Sequence, residues 1–432
     1  MLKLYFKQGW QLIRQNKFYT AVYILGTGLA ITMVMIMAIV YHIRTANIAP
    51  ESNRDRMLIV ERATAKRVNG DGQSYWSMSY QTVKECYYPL KTPRAVSAAA
   101  NSSNLQYALG NFYTNIPGSK DVYASSIYTT DAAFFDIFNY SFIKGKPYTE
   151  EEFQSGMHRV VLCESLAKRL FNTTDILNKT VLVNDVEFSI TGVVRDVSST
   201  LPRAYAELWI PYTAIPAIKD FAGAGGIVGI FTTFILADSP ADFPIIKEEI
   251  EVNRKRYNTS ISDWEYAIDD RTILTVFQSE VKKLDDWSSF NEVIIRYGLI
   301  AFLFMLVPAV NLSGLTSSRM QERISEIGIR KAFGATKGTL INQMLAENLL
   351  LTLLGGIVGL IVSNIVVYFM RDLLLGSRWE MTPNMTLSLS MLINMRVFTY
   401  AFVVCLVLNI LSSYIPVWGA TRRPIVQSIN DK

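Results

Sequence analysis

Four apolar windows, and the uneven spacing between them, constrain this chain more than any other feature. They run from Phe18 to Tyr41, from Val293 to Leu315, from Asn348 to Met370 and from Val397 to Trp418. Each is long enough to cross the hydrocarbon core of a bilayer as a helix, which takes about 20 residues. The segment 42–292 is large enough for a soluble domain, whereas the other gaps are short. The sequence therefore predicts a membrane α-helical protein with four transmembrane helices and a large extracytoplasmic α+β domain inserted between helices 1 and 2.

The first window resembles a secretory signal peptide in its position. It is too long for the apolar region of such a peptide, and the following "YHIRTANIAPESN" offers no small-x-small cleavage site. We therefore expect it to be retained as a membrane helix.

Basic residues on one side of the predicted membrane indicate its orientation. They are Lys3, Lys7, Arg14 and Lys17 before the first window, Arg319, Arg323, Arg330, Lys331 and Lys337 between the second and third, and Arg422 and Arg423 after the fourth. With four spans these three segments share one side, and an excess of lysine and arginine marks the cytoplasmic side. Both termini are therefore predicted to be cytoplasmic.

The predicted organisation divides the chain into nine segments. They are a cytoplasmic amphipathic helix (1–17), transmembrane helix 1 (18–41), the extracytoplasmic domain (42–292), transmembrane helix 2 (293–315), a cytoplasmic helical hairpin (316–347), transmembrane helix 3 (348–370), an extracytoplasmic loop (371–396), transmembrane helix 4 (397–418) and a cytoplasmic tail (419–432). The first segment places Leu4, Tyr5, Leu12 and Ile13 on one side, which predicts a helix on the membrane surface. A solvated lead-in is the alternative.

The inserted segment has the pattern of a soluble α+β domain. "RVVLCESLAKRLF" predicts a buried strand followed by a helix, and "TVLVNDVEFSITGVV" predicts two strands joined by a turn at Asn184 and Asp185. Val186, Phe188 and Ile190 alternate with polar residues, so one face of the second strand is expected to be buried. We expect two lobes. "FAGAGGIVGIF" is interpreted as a flexible loop.

Several functional classes find no support in the residues. The chain has only two histidines and three cysteines, and His158 lacks a recognisable catalytic companion. The stretch "GATKGT" cannot build a P-loop, because its Lys-Gly order differs from that motif. The net charge of +5 comes with basic residues that flank apolar windows, so lipid head groups rather than nucleic acid are the expected counter-charge. We predict no catalytic residue, no metal site, no bound cofactor and no nucleic-acid partner.

The stretch "VPAVNLSGLTSSRMQERISEIGIRKAFGATKGTLINQMLAENLLLTLLGGIVG" resembles the core of the MacB-like (FtsX-type) ABC transporter permeases. "FFDIFNYSFIKGKPYT", "VVLCESLAKRLF", "FSITGVV" and "LWIPYTAI" are similar to landmarks of that family's periplasmic domain, and "IPVWGATRRPIVQSI" is similar to its C-terminal ending. One departure is Asn178, where a glycine is usual.

The resemblance implies a permease subunit in the bacterial inner membrane. It would form a homodimer or heterodimer, bind a separate ABC ATPase that supplies ATP and Mg²⁺ chemistry, and transmit motion to the periplasmic domain to drive efflux or extrusion. A periplasmic adaptor or an outer-membrane channel would be a further partner. The alternative is an FtsX-like signalling permease that controls a periplasmic cell-wall hydrolase or an antibiotic response without moving cargo.

The predicted hairpin carries the expected coupling residues. The stretch from Arg319 to Phe333 predicts a helix with Ile324, Ile327 and Ala332 toward one side, ended by a left-handed residue at Gly334, with Thr336 capping the next helix. A mixed charged and apolar helix suits docking in a groove of another protein, and contact with lipid alone is the alternative. The expected ATPase-coupling residues are Arg323, Glu326, Ile327, Gly328, Arg330, Lys331, Phe333 and Gly334.

Small and polar residues in the windows predict where transmembrane helices pack. Gly26 and Ala30, and Gly355 and Gly359, have the small-xxx-small spacing that lets helix backbones approach closely. This spacing serves dimer contacts and contacts within one subunit equally well. Asn311 is expected to bond another helix, with the lining of a substrate path as the alternative.

Overall fold

The computed structural model describes residues 17–285, 288–375, 394–422 and 424. They fall into two compact units, each described by itself. A helical unit contains the described residues of 17–43, 294–375 and 394–422 with 424, and a mixed unit contains those of 44–293. The predicted N-terminal surface helix, most of the loop 371–396 and most of the C-terminal tail lie outside the described residues.

The helices and strands of the described part follow the order of the chain. The helices are α1 (Lys17–Thr45), α2 (Tyr80–Cys86), α3 (Ser102–Leu109), α4 (Phe134–Ile137), α5 (Glu150–Gln154), α6 (Glu164–Phe171), α7 (Pro216–Asp220), α8 (Phe243–Asn258), α9 (Val276–Lys282), α10 (Phe290–Glu322), α11 (Ile324–Ala332), α12 (Lys337–Phe369), α13 (Arg371–Leu375) and α14 (Met395–Arg422). The strands are β1 (Met57–Val60), β2 (Ala63–Arg67), β3 (Gln73–Met78), β4 (Ala95–Asn101), β5 (Tyr113–Asn115), β6 (Tyr123–Ala124), β7 (Ile127–Thr130), β8 (Phe142–Gly145), β9 (Arg159–Cys163), β10 (Thr180–Val183), β11 (Val186–Val194), β12 (Leu208–Pro211), β13 (Val228–Gly229), β14 (Thr232–Leu236), β15 (Trp264–Ala267) and β16 (Leu274–Thr275).

Three helices in the described part of the chain are long and apolar enough to cross a membrane. They are the segments Thr20–Thr45 of α1, Lys337–Phe369 (α12) and Met395–Arg422 (α14). They overlap three of the four predicted spans. The remaining window, 293–315, falls within α10, and its role as a span stays a prediction.

The mixed unit is built on two sheets. The larger has 12 strands in the order β16-β1-β14-β4-β7-β12-β9-β11-β10-β5-β6, with β8 paired to β11. Its pairs are antiparallel except β9–β11 and β7–β12, which are parallel. The smaller sheet has the order β13-β3-β2-β15. The mixed α+β character predicted from the sequence is therefore confirmed.

Turns in the mixed unit follow the residue types that permit them. Asn184 (φ 46°) and Asp185 (φ 64°) join β10 to β11, with Val183 opposite Val186, as predicted. Phe188 and Ile190 are buried, but Val186 beside the turn is exposed, so the predicted alternation begins later. Asn178 adopts φ 62°, the left-handed conformation that glycine usually supplies, so the departure at this position keeps the turn.

A buried carboxylate lies in the core of the larger sheet. Asp131 accepts hydrogen bonds from the Ser97 hydroxyl (2.6 Å), the Ala98 amide (2.9 Å), the Tyr88 hydroxyl (2.7 Å) and the Phe134 amide (3.1 Å). Burial raises the pKa of Asp131 to about 6, although the bonds from Ser97, Ala98 and Tyr88 act in the opposite direction. The bond to Phe134 holds the first turn of α4 against β4.

Ion pairs link distant segments of the mixed unit. The Arg203 guanidinium donates to Glu280 Oε1 at 2.8 Å, and Arg44 and Lys283 reach the same carboxylate at 3.3 and 3.0 Å. The Arg203 and Glu280 side chains are only 4% and 8% exposed. Burial alone would raise the pKa of Glu280, but Arg203 and Lys283 outweigh it and hold that pKa below its ordinary value. We call Arg203, Glu280, Arg44 and Lys283 the Arg203 cluster.

Close helix packing in the helical unit depends on glycine. A Cβ at Gly355 would lie 2.9 Å from Thr27 Cβ, and one at Gly359 would lie 2.8 Å from Ile31 Cγ2. Gly28 faces the same contact, since a Cβ there would lie 3.1 Å from Val358. Gly355 and Gly359 therefore serve packing within one chain, and a dimer contact through them stays a prediction.

Hydroxyl and amide side chains pair inside the helical unit. Asn409 donates to Thr352 Oγ1 (2.7 Å), Ser413 donates to Asn409 Oδ1 (3.1 Å), and the Thr316 and Ser413 hydroxyls lie 3.3 Å apart. All four residues are buried. They join α10, α12 and α14 without a charged residue.

Candidate functional site

The segment predicted as one helix of the hairpin is divided by a break. We predicted one helix from Arg319 to Phe333, but α10 continues to Glu322, Arg323 has non-helical angles (φ −103°, ψ 7°), and α11 starts at Ile324. That prediction was wrong: the helix is interrupted at Arg323, whose side chain is paired with Glu326 and Glu347.

The far end of α11 is closed by a Schellman motif. Gly334 adopts φ 92°, as predicted, and its amide donates to Lys331 O at 3.0 Å. The Ala335 amide donates to Arg330 O at 3.0 Å, which completes the motif. Thr336 then caps α12 by accepting from the Thr339 amide at 3.3 Å, also as predicted.

The inner face of α11 packs on three long helices. Ile327 is 2% exposed and belongs to a buried apolar cluster drawn from α10, α11, α12 and α14, whose members are Met320, Ile327, Leu340, Met344, Val417 and Ala420. Ile324 is also buried, whereas Ala332, which was predicted to lie toward the same side, is exposed. Burying an isoleucine side chain contributes about 1.5–3 kcal/mol, so this cluster fixes which face of α11 points inward.

Five polar side chains close a ring beside this cluster. Arg323 donates to Glu347 Oε2 at 2.6 Å and to Glu326 Oε2 at 2.9 Å. Arg330 donates to Glu326 Oε1 at 2.5 Å and to Gln343 Oε1 at 2.7 Å. Gln343 donates to Glu347 Oε1 at 3.3 Å, which closes the circuit. We call these five residues the hairpin ring; it joins α11 and its N-cap to α12.

The charges within the hairpin ring stabilise each other. Burial alone would raise the pKa of Glu326, but Arg323 and Arg330 outweigh it and lower that pKa. Burial alone would likewise lower the pKa of Arg323, but Glu326 and Glu347 raise it. Arg323 and Glu326 therefore stay ionised at neutral pH. Lys331 adds a separate link by donating to Thr421 O in the last turn of α14.

The outer face of α11 and its tip are apolar and open. Phe333 is 89% exposed and Ile329 is 50% exposed. Ala332 is exposed beside them. We call Ile329, Ala332 and Phe333 the hairpin tip.

Two models of known protein families match this chain. The MacB-like periplasmic core domain matches residues 20–252, and the FtsX-like permease C-terminal domain matches residues 298–425. This chain belongs to the MacB-like, FtsX-type permease family. The second match contains the hairpin, the hairpin ring and the hairpin tip.

Several proteins are similar to this permease. The macrolide export ATP-binding/permease protein MacB of Aggregatibacter actinomycetemcomitans is 24% identical over 249 residues, which cover 57% of this chain and 36% of that protein. The uncharacterised ABC transporter permease YknZ of Bacillus subtilis strain 168 is 27% identical over 216 residues, covering 50% of each. The chain thus spans between about a third and a half of the length of these two relatives. The solved periplasmic region of MacB from Actinobacillus actinomycetemcomitans covers 53% of this chain and 94% of that chain, with 18% identity and a TM-score of 0.35.

The predicted coupling residues of this permease divide into two groups. Arg323, Glu326, Arg330 and Lys331 bond inside the chain, and Ile327 and Gly328 are buried. Phe333 and Gly334 are exposed at the tip. A role of any of them in contacting an ATPase stays a prediction.

Sequence reasoning missed Gln343, Glu347 and Gly28. Gln343 and Glu347 are four residues apart in an otherwise apolar stretch, which places them on one side of a helix, and that spacing could have identified them. Gly28 was overlooked because Gly26 and Ala30, which lie on either side of it, match the small-xxx-small spacing. Ala30 is buried, and the side chain of Asn311 lies outside the described residues.

The two histidines and the cysteines Cys86 and Cys163 lie in ordinary packing environments. His158 stacks on Phe188 with ring centroids 5.0 Å apart, and His42 lies 3.0 Å from the Asn394 amide nitrogen. Cys86 and Cys163 are both buried and unpaired. No group of three or more metal-ligating side chains occurs among the described residues.

Proposed function

We propose that this chain is the permease subunit of an ATP-driven ABC extrusion system, with a separate ATPase that docks on the hairpin tip. One observation carries the proposal: Phe333 is 89% exposed at the end of a helix whose other face is packed and ion-paired. An exposed aromatic side chain on a fixed support is the usual anchor of a protein interface. The chain's membership of an ABC permease family supports an ATPase as the partner.

The hairpin tip favours protein docking over a role in lipid binding alone. A helix that lies on lipid presents basic residues to the head groups beside its apolar face. Here the charges of Arg323 and Arg330 are directed to Glu326 and Glu347. The hairpin tip adds exposed apolar side chains, which suit a groove on another protein.

The test uses Phe333→Asp in the full chain. The chain is reconstituted in lipid nanodiscs with an ABC ATPase subunit from the same organism, and ATPase binding and stimulated ATP hydrolysis are measured. Because an interface anchor contributes about 2 kcal/mol or more, we expect binding to weaken by about 30-fold or more. Lys337→Gln, which changes an exposed residue just beyond the same turn, is the matched control and should bind normally. Unchanged binding of Phe333→Asp would overturn the docking site.

Phe333 is a sharper test residue than Glu326 or Arg330. Charge reversal at either of those positions would open the hairpin ring and disturb α11 itself. Loss of binding would then have two explanations. The Phe333 side chain can be replaced without breaking a contact of the ring.

We further propose the membrane topology expected from the basic residues. The hairpin and both termini would face the cytoplasm of a bacterial inner membrane, and the mixed unit would be periplasmic, with α10 as a fourth span. The permease would act as a homodimer or heterodimer, with an adaptor or an outer-membrane channel as a further partner. Labelling of a cysteine introduced at Phe333 from either side of the membrane tests this orientation.

Transmission of motion to the mixed unit is the mechanism we propose. Thr316, Thr352, Asn409 and Ser413 use their polar groups to pair with one another, rather than to present a polar path. This supports a permease that moves its helices as a body. The same mechanism would serve the signalling alternative, which requires a periplasmic partner whose activity depends on ATP turnover while no substrate leaves the membrane.

A further inference from the structure

The hairpin ring does more than neutralise charge. α11 has only nine residues, which is too short for a helix to be stable by itself in water. It is preceded by the break at Arg323 and followed by the turn at Gly334, so its direction must be set by contacts with other helices. Two kinds of contact are present, the apolar cluster around Ile327 and the hairpin ring.

The two kinds of contact constrain α11 differently. Apolar packing is non-directional, so it determines which face of α11 is buried more firmly than it determines the exact angle. Hydrogen bonds between arginine and a carboxylate have a fixed planar geometry, and Arg323 makes such bonds to two carboxylates. Its Nε and NH2 bond Glu326 at 2.9 and 3.4 Å, and its NH1 bonds Glu347 at 2.6 Å.

Glu347 is the corner of the ring on which the others depend. Its side chain is 2% exposed, whereas those of Glu326 and Arg330 are 41% and 37% exposed. It accepts from Arg323 directly, and through Gln343 it also fixes Arg330. One carboxylate on α12, that of Glu347, is therefore connected to residues at both ends of α11.

We propose that Glu347 is a positioning residue that makes α11 and α12 move as one body. By holding Arg323 and, through Gln343, Arg330, it keeps the hairpin tip at one fixed angle to α12. A displacement applied to Phe333 then moves α12 instead of bending the hairpin. That an ATPase supplies this displacement rests on the proposed function. The fixed angle between the hairpin tip and α12 does not depend on it.

The first test measures the angle without any ATPase. Spin labels are attached to Phe333→Cys and Ile357→Cys, two exposed positions on the tip and on α12, and their distance distribution is recorded by electron paramagnetic resonance in nanodiscs. The native cysteines are buried, and a sample without introduced cysteines checks that they stay unlabelled. With Glu347 intact we expect one narrow distribution. Glu347→Gln, which keeps the shape but loses the charge, should broaden it at least twofold.

Three further variants separate positioning from general stability. Glu347→Asp keeps the carboxylate and should recover much of the narrow distribution. Lys337→Gln lies outside the ring and should leave it unchanged. If Glu347→Gln does not fold, Gln343→Ala opens the ring at its neutral member and should broaden the distribution in the same way. A narrow distribution in the folded ring variants would overturn the proposal.

The second test adds the ATPase subunit. Glu347→Gln should still bind it, because the tip is unchanged, but should lose most of the stimulated ATP hydrolysis. Suppose that Glu347→Gln broadens the distance distribution but the ATPase binds no version of the chain. This result would contradict the proposed function and leave the positioning role intact. Full stimulation of Glu347→Gln would overturn the positioning role and leave docking intact.

Discussion

The Arg203 cluster of the mixed unit and the hairpin ring of the helical unit each combine a buried ion pair with more exposed members, but their buried carboxylates have different partners. Arg203 and Glu280 are 4% and 8% exposed, and the more exposed Arg44 and Lys283 reach the same carboxylate. In the ring, the buried Glu347 accepts from Arg323 and from the Gln343 amide, and Glu326 and Arg330 form the exposed side. The first carboxylate is therefore contacted by three cations, and the second by a cation and an amide.

The largest expected effect is at Arg203. Arg203→Met leaves Glu280 buried beside weaker partners, and breaking a buried ion pair in this way costs about 3–5 kcal/mol. The measurement is chemical unfolding of the full chain, followed by tryptophan fluorescence, to which Trp209, fully buried in the mixed unit, contributes. Lys283→Ala removes a more exposed partner of the same carboxylate and should cost far less. Equal effects of the two variants would show that the buried Arg203 contact does not dominate the cluster.

A second prediction concerns pH within the mixed unit. Because the pKa of Asp131 is raised to about 6, its contribution to stability is complete below its unfolded pKa of about 3.9 and is lost as pH rises to 6. The lowered pKa of Glu280 has the opposite sign, so its contribution is lost as pH falls below about 4.3. Asp131→Asn should remove a decline on the order of 2–3 kcal/mol between pH 4 and 6. An unchanged pH profile of the unfolding free energy in Asp131→Asn would contradict the assignment.

The smallest effect is expected within the hairpin ring. Glu347→Gln removes a buried charge from Arg323 and should cost about 1–3 kcal/mol, with little dependence on salt. Glu326→Gln acts on an exposed pair and should cost less than about 1 kcal/mol, decreasing as salt is added. Thermal unfolding in nanodiscs at low and high salt compares the two. Identical salt dependence would remove the distinction between the buried and the exposed corner.

Patterns of local sequence predicted much of the fold. The apolar windows located three long helices, and the Asn184–Asp185 turn and the strand before α6 followed from residue types that permit few alternatives. Gly334 and Thr336 likewise marked the ends of helices, because a left-handed residue and a cap are local requirements.

Contacts between distant segments were not predictable in this way. The ion pair of Arg323 reaches Glu347, which lies in the next helix, so periodicity within 319–333 could not reveal it. Ala332 was predicted to lie toward the side of Ile324 and Ile327, yet it is the last residue of α11 and is exposed. The Arg203 cluster joins residues from Arg44 to Lys283, a span over which a single sequence gives no signal of contact.

The polar pairs among α10, α12 and α14 have a consequence for how the protein is made. Asn409 lies near the middle of α14, and an unpaired amide there opposes the transfer of that helix into lipid. Because synthesis runs from the N-terminus, Thr316 and Thr352 are made before Asn409 and Ser413. The last long helix therefore enters the bilayer most favourably when the earlier helices are already there to receive it, so that chain order and membrane assembly are matched.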